Sequence, residues 1–136
     1  MTIDTSALIA IFRDEPDAEW FADAIEAAVS CHMSAVSFVE ASVVLDGSRD
    51  PVVSRKFDEF VKDAGIVIEP VTIHQAKIAR EAYRDFGKGS GHPARLNFGD
   101  CFSYALAKER GEALLFKGNP FTHTDVRRAI SSARAS

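Results

Sequence analysis

Asp4, Glu40 and Asp100 are the side chains through which this sequence could do chemistry. Asp4 follows the short apolar opening at residues 1–3, and Glu40 lies between Val39 and Ala41. Asp100 stands in the stretch LNFGDCFSYALAKERG at 96–111. A carboxylate in apolar surroundings is costly when it is ionised and unpaired. Three of them share one explanation, a divalent cation that takes oxygen ligands. Each also has a plainer reading. Asp4 can cap the helix that follows it, Glu40 can reach solvent from a helix edge, and Asp100 can complement the macrodipole of a first turn. The metal reading rests on the set.

The elements that must position these acids follow from periodicity and punctuation. Residues 1–3 can form only a short strand, which leaves Asp4 at its carboxyl end. Asp4, Thr5 and Ser6 read as an N-cap cluster for a helix through Ala7, Leu8, Ile9 and Phe12. Pro16 suits the first turn of a second helix, with Trp20, Phe21, Ala24, Ala27 and Ala28 at helical spacing. A second strand spans 32–35, and Ser34 or Ser37 starts the helix that carries Glu40. Asp50 and Pro51 open another helix, with Val53, Phe57, Phe60, Val61 and Ala64 on one face. Gly65 is suited to end it, and residues 66–68 read as a buried strand. Thr72 caps a helix reaching Phe86. The glycine-rich loop at 87–93 lacks the ending of a phosphate-binding P-loop and reads as a mobile flap over the acidic helix. Asn97 caps that helix, with Phe98, Cys101, Phe102, Ala105 and Leu106 on its buried face. Residues 113–116 form the last strand, 117–120 a turn, and a short helix starts after Thr124 or Asp125. Short strands separated by helices indicate an α/β domain with a mostly parallel sheet. In such sheets ligands lie outside the carboxyl ends of the strands, near a topological switch point.

A chain of 136 residues suits one domain, read as 1–130 with a flexible tail at 131–136. The apolar runs are too short to span a bilayer and no signal-peptide pattern opens the chain, so a cytoplasmic protein with no membrane partner is expected. Cys31 and Cys101 read as buried thiols, and the scattered histidines argue against zinc. A net charge of −4, from 16 basic and 20 acidic residues, argues against a protein that coats nucleic acid by bulk electrostatics. It does not exclude an enzyme that brings metal ions to a polyanion, because the ion inverts the local field. Arg13, Arg80, Arg84, Lys88 and Arg95 are candidates for phosphate contact or for solvated helix faces.

Three motifs carry a family resemblance: IDTSAL at 3–8, SFVEAS at 37–42 and LNFGDCFSYALAKERGEALLFKGNPFTHTD at 96–125. Together they resemble a PIN-domain ribonuclease, and within that class the VapC toxins of toxin–antitoxin pairs. The resemblance implies an α/β/α sandwich and an endoribonuclease whose acidic cluster binds Mg²⁺ or Mn²⁺. It also implies a VapB-like antitoxin partner, a toxin homodimer, and operator DNA reached through the antitoxin. The family's first, second and third acids match Asp4, Glu40 and Asp100. Thr5 and Ser6 match the hydroxyl residues beside the first acid. Relatives often carry a further acid where this chain reads Gly118-Asn119-Pro120-Phe121. Asn119 can orient water without adding charge, and Asp125 is the nearest acid, a stand-in ligand or a helix cap. That departure motivates an alternative function, a PIN-like binding module with impaired catalysis.

Overall fold

A computed structural model describes residues 1–129; the tail expected at 131–136 and the domain end at 130 lie outside the described residues. Four strands form one parallel sheet in the order β3-β2-β1-β4: β1 (Thr2–Ile3), β2 (Cys31–Ser34), β3 (Ile66–Glu69) and β4 (Leu114–Leu115). Between them run α1 (Thr5–Phe12), α2 (Ala18–Ala27), α3 (Ala35–Asp46), α4 (Pro51–Asp63), α5 (Ile73–Phe86) and α6 (Phe98–Arg110). From β1 the chain builds outward through β2 to β3, then returns to place β4 on the other side of β1. The order therefore reverses between β1 and β4, and in parallel sheets such a reversal is where ligands lie, outside the carboxyl ends of the strands.

Two apolar cores cover the two faces of the sheet. Leu115 joins Ile3, Leu8, Phe21, Met33 and Phe57 in one core, while its neighbour Leu114 joins Ala79, Leu96, Ala105, Phe116 and Phe121 in the other. That split is the period of two that a strand imposes on its side chains. Helices α1–α4 serve the first core and α5 and α6 the second, which makes the α/β/α sandwich. In the first core Phe12 meets Phe57 and Phe60 edge-on at 5.6 and 5.5 Å, arrangements the aromatic quadrupole favours. Cys31 and Cys101 are buried free thiols.

Local chemistry accounts for most element boundaries. Asp50 accepts Val52 N–H with Pro51 in the first turn of α4, and Thr72 accepts Gln75 N–H at the start of α5. Three expectations need correction. β3 is an edge strand with Val67 about half exposed, not a buried one. Past the turn that contains Pro120, no helix follows Thr124 or Asp125 among the described residues; the chain there hydrogen-bonds along β4 through Leu114 N–H to Arg127 O and Ala129 N–H to Leu114 O. Phe98, expected on the buried face of α6, is 72% exposed. The loop at 87–93 is held at its base, where Lys88 N–H bonds Leu96 O and Leu96 N–H bonds Phe86 O, and His92 packs edge-on against Phe86.

Candidate functional site

Three elements deliver the three acids to the crevice. Asp4 leaves β1 and caps α1: Oδ2 accepts Ser6 N–H at 3.0 Å and Ser6 Oγ–H at 2.6 Å. Its backbone N–H continues the sheet, donating to Leu115 O at 2.9 Å. Ser6 Oγ in turn accepts Lys117 N–H at 2.9 Å, so the turn after β4 is tied to the cap of α1. Asp4 therefore sits at the reversal point of the sheet, 4% exposed. Asp100 is the N3 residue of a capping box: Asn97 Oδ1 accepts Asp100 N–H at 2.9 Å, and Asp100 Oδ2 accepts Asn97 N–H at 3.0 Å. Glu40 comes from the second turn of α3.

The Glu40 carboxylate reaches the start of α6, next to Asp100 in sequence, because Gly99 has no side chain. A β-carbon built at Gly99 would overlap the Glu40 carboxylate. Burial pushes the Asp100 carboxyl up to about 6 against the bond from Asn97, and the nearby charges of Asp4 and Glu40 push it the same way. Among the described residues no Lys, Arg or His forms a salt bridge with any of the three acids. Lys117, whose backbone N–H reaches the cap of α1, spends its ammonium on Glu15 and on Asp17 at 3.0 Å.

Sequence reasoning brought Asp4, Glu40 and Asp100 together, and the structure gathers them at one end of the sheet. The supporting residues divide. Ser6 is bonded to Asp4, whereas Thr5 turns its hydroxyl to Ser37 O at 3.0 Å. Asn119 is exposed ahead of the 3₁₀ turn Pro120–His123 and makes no side-chain cap. Asp125 caps no helix among the described residues; it accepts Tyr104 Oη–H at 2.6 Å and a bond from Lys108 Nζ at 2.8 Å. Those two bonds already engage both of its carboxylate oxygens. Two residues escaped the sequence reading. Ser103 Oγ donates to Asp4 Oδ1 at 2.5 Å, and Ser37 Oγ lies 2.9 Å from Ser103 Oγ. Each serine stands three residues from an acid on its own helix, Ser37 before Glu40 and Ser103 after Asp100, which is the one signal that could have found them.

The PIN-domain family model matches residues 1–127 of the chain. The chain belongs to the PIN-domain family. Ribonuclease VapC28 of Mycobacterium tuberculosis is 59% identical to this PIN domain over 130 residues, covering 96% of this chain and 98% of the relative. Among solved structures, VapC20 of M. tuberculosis, a toxin described as cleaving the sarcin–ricin loop, superposes with a TM-score of 0.75 at 15% identity, over 95% of this chain and 98% of its own. A toxin–antitoxin complex from Klebsiella pneumoniae has a TM-score of 0.66 at 17% identity, over 88% of each chain. At those identities the two structures speak for the fold, which is the α/β/α sandwich the resemblance implied.

The donor set suits a hard cation. The three acids offer oxygen only, and the one neighbouring thiol, on Cys101, points at Asn97 O. Among the described residues no three His, Cys, Asp or Glu side chains are packed closely enough to enclose an ion by themselves. An open, partly hydrated site is the form in which Mg²⁺ is usually held, with one or two carboxylates and substrate phosphate completing its octahedron. Among the described residues no helix is long and apolar enough to cross a membrane.

Proposed function

We propose that this PIN domain is a metal-dependent endoribonuclease toxin, with Asp4, Glu40 and Asp100 holding Mg²⁺ or Mn²⁺. The observation that carries the reading is the convergence of three carboxylates, from β1, α3 and α6, on the reversal point of the sheet without a basic partner among the described residues. Such an arrangement repels itself unless a cation enters it. The relatives named as ribonucleases support the substrate class.

Asp4 and Asp100 are the direct ligands in this reading. Each keeps lone pairs that no hydrogen bond among the described residues takes, while its cap contacts hold the carboxylate in place. Glu40 accepts no hydrogen bond within the described residues, so it is free to bind through water or to orient and deprotonate the attacking water. The cation supplies charge against the phosphate oxygens and lowers the pKa of bound water. Ser6 and Ser103 hold Asp4 still, and Gly99 leaves Glu40 room beside Asp100. The acidic crevice also suits an arginine or lysine from a VapB-like antitoxin, which would block the phosphate's approach. A toxin homodimer, with operator DNA reached through the antitoxin and a cytoplasmic setting, completes the proposal.

One feature keeps a second reading alive, the binding module of impaired turnover. The turn after β4 offers Asn119 and Pro120 where relatives often offer acids. Pro120 opens the 3₁₀ turn, a position where its missing N–H leaves no partner unsatisfied, so it replaces an acid without harming the fold. Cleavage of a mixed RNA pool with Mn²⁺, compared between wild type, Asp4→Asn and Asp100→Asn, separates the two. Metal-dependent cleavage by the wild type that both variants lose supports the ribonuclease. Equal background in all three supports the binding module.

A further inference from the structure

Two buried hydroxyls join the acids at a level beneath the crevice. Ser37 and Ser103 are both fully buried, and they contact each other across the α3–α6 crossing, 66 residues apart in the chain. A carboxylate only accepts, so the 2.5 Å contact to Asp4 Oδ1 must use the Ser103 proton. The oxygen of Ser103 is then an acceptor, and Ser37 must donate to it. The protons therefore run one way, from Ser37 to Ser103 to Asp4.

Neither serine takes the local option. A helical serine ordinarily satisfies itself by bonding the carbonyl four residues back. Ser42, two residues past Glu40 on the same helix, does so with Phe38 O at 2.7 Å. Ser37 instead reaches to α6 and Ser103 to β1's terminal acid. The backbone carbonyl of Ser37 also receives Thr5 Oγ1–H at 3.0 Å, so the first turn of α1 is pinned to the same place. One helical turn separates each serine from an acid, Glu40 on α3 and Asp100 on α6. The clasp thus ties all three acid-bearing elements together directly beneath their carboxylates.

We propose that Ser37 and Ser103 are positioning residues, a hydroxyl relay that sets the spacing of Asp4, Glu40 and Asp100 and orients Asp4 for the cation. The inference rests on the metal reading above. Hydrogen-bond partners of ligating groups are worth about 10–100-fold in metal affinity where they have been removed. The relay also has an order. Ser103→Ala takes away the contact with Asp4, while Ser37→Ala only frees the Ser103 oxygen.

The test measures Mn²⁺ affinity by electron paramagnetic resonance for wild type, Ser103→Ala, Ser37→Ala and the double variant, with metal-free circular dichroism to check the fold. Ser103→Ala is expected to weaken Mn²⁺ binding about tenfold or more. Ser37→Ala should weaken it less, and should change nothing further once Ser103 is alanine. Two serines that merely pack would give small effects that add, whereas members of one chain are non-additive. Wild-type binding with an unchanged affinity in Ser103→Ala, or strictly additive losses, overturns the relay and leaves the metal reading standing. No Mn²⁺ binding by the wild type overturns both.

Discussion

Asp100→Asn should change stability in opposite directions with and without metal. In the metal-free protein burial raises the Asp100 carboxyl to about 6 from its ordinary 3.8, with Asp4 and Glu40 adding to the rise. A carboxyl whose folded pKa is raised binds more protons folded than unfolded, so stability is fully present below about 4 and falls as pH rises to about 6. Above that window the ionised group costs the fold a constant amount. About two pKa units at ~1.36 kcal/mol each give an upper figure near 3 kcal/mol. Asp100 is partly exposed, and solvent screening reduces this to roughly 1–2 kcal/mol. Asparagine keeps an oxygen for Asn97 N–H, so the capping box survives while the charge is lost.

Urea denaturation followed through Trp20 fluorescence measures this at pH 8 and near pH 4, in chelator and in millimolar Mn²⁺. In chelator at pH 8 the variant should be the more stable by roughly 1–2 kcal/mol, and the gap should close near pH 4. With Mn²⁺ the order reverses, since a ligand at 100 times its Kd stabilises the folded state by about 2.7 kcal/mol and the variant loses most of that. A variant less stable than wild type in chelator at pH 8 refutes the charge argument. Equal stabilisation of both proteins by Mn²⁺ refutes Asp100 as a ligand.

Three further outcomes follow from the same geometry. Gly99→Ala pushes a methyl into the space of the Glu40 carboxylate while improving helix propensity by up to about 1 kcal/mol, so metal-free stability should hold or rise as RNA cleavage falls at least about tenfold; unchanged cleavage rates would remove Glu40's placement from the mechanism. Pro120→Asp restores a carboxylate and a backbone N–H after β4 and should raise Mn²⁺-dependent cleavage about tenfold, a cautious part of the 10²–10³ that one electrostatic contact is worth. If it cleaves no faster while Asp100→Asn is inactive, three acids suffice. Asp125→Asn should leave Mn²⁺ affinity unaltered, because its carboxylate serves Tyr104 and Lys108; a weakened affinity in a binding titration would return Asp125 to the site.

What could be read from the sequence was what short-range chemistry decides. Asn97, Thr72 and the Asp50-Pro51 pair announce helix starts because cap and partner lie within three residues. Where a distant partner intervenes the reading fails. Pro16 suggested a helix start, but α2 begins at Ala18, and Asp17 gives its carboxylate to Lys117, 100 residues away, instead of capping it. The apolar run at Ile66 looked buried because composition does not reveal strand order, and order alone puts β3 at the edge. The three acids were legible as a set through their apolar neighbours and the family resemblance. Ser37 and Ser103 were not, since nothing local distinguishes a serine that crosses to another helix from one, like Ser42, that folds back on its own.

The two readings of Asp4, helix cap and metal ligand, are not rivals. A carboxylate offers about four lone-pair sites. Ser6 N–H and Ser6 Oγ–H occupy the Oδ2 side, and Ser103 Oγ–H takes one site on Oδ1. One site remains, on the oxygen that the hydroxyl relay holds, which suits Asp4 to bind a cation through a single oxygen. Asp100 has spent only one site, on Asn97, and Glu40 none within the described residues. The acids thus grade from most fixed to most free, β1 to α6 to α3. A fixed acid beside a freer one suits a cation that keeps several waters and takes only one or two carboxylates. The cap therefore suits Asp4 to the proposed role of anchor, since its bonds to Ser6 and Ser103 hold the carboxylate without a cation.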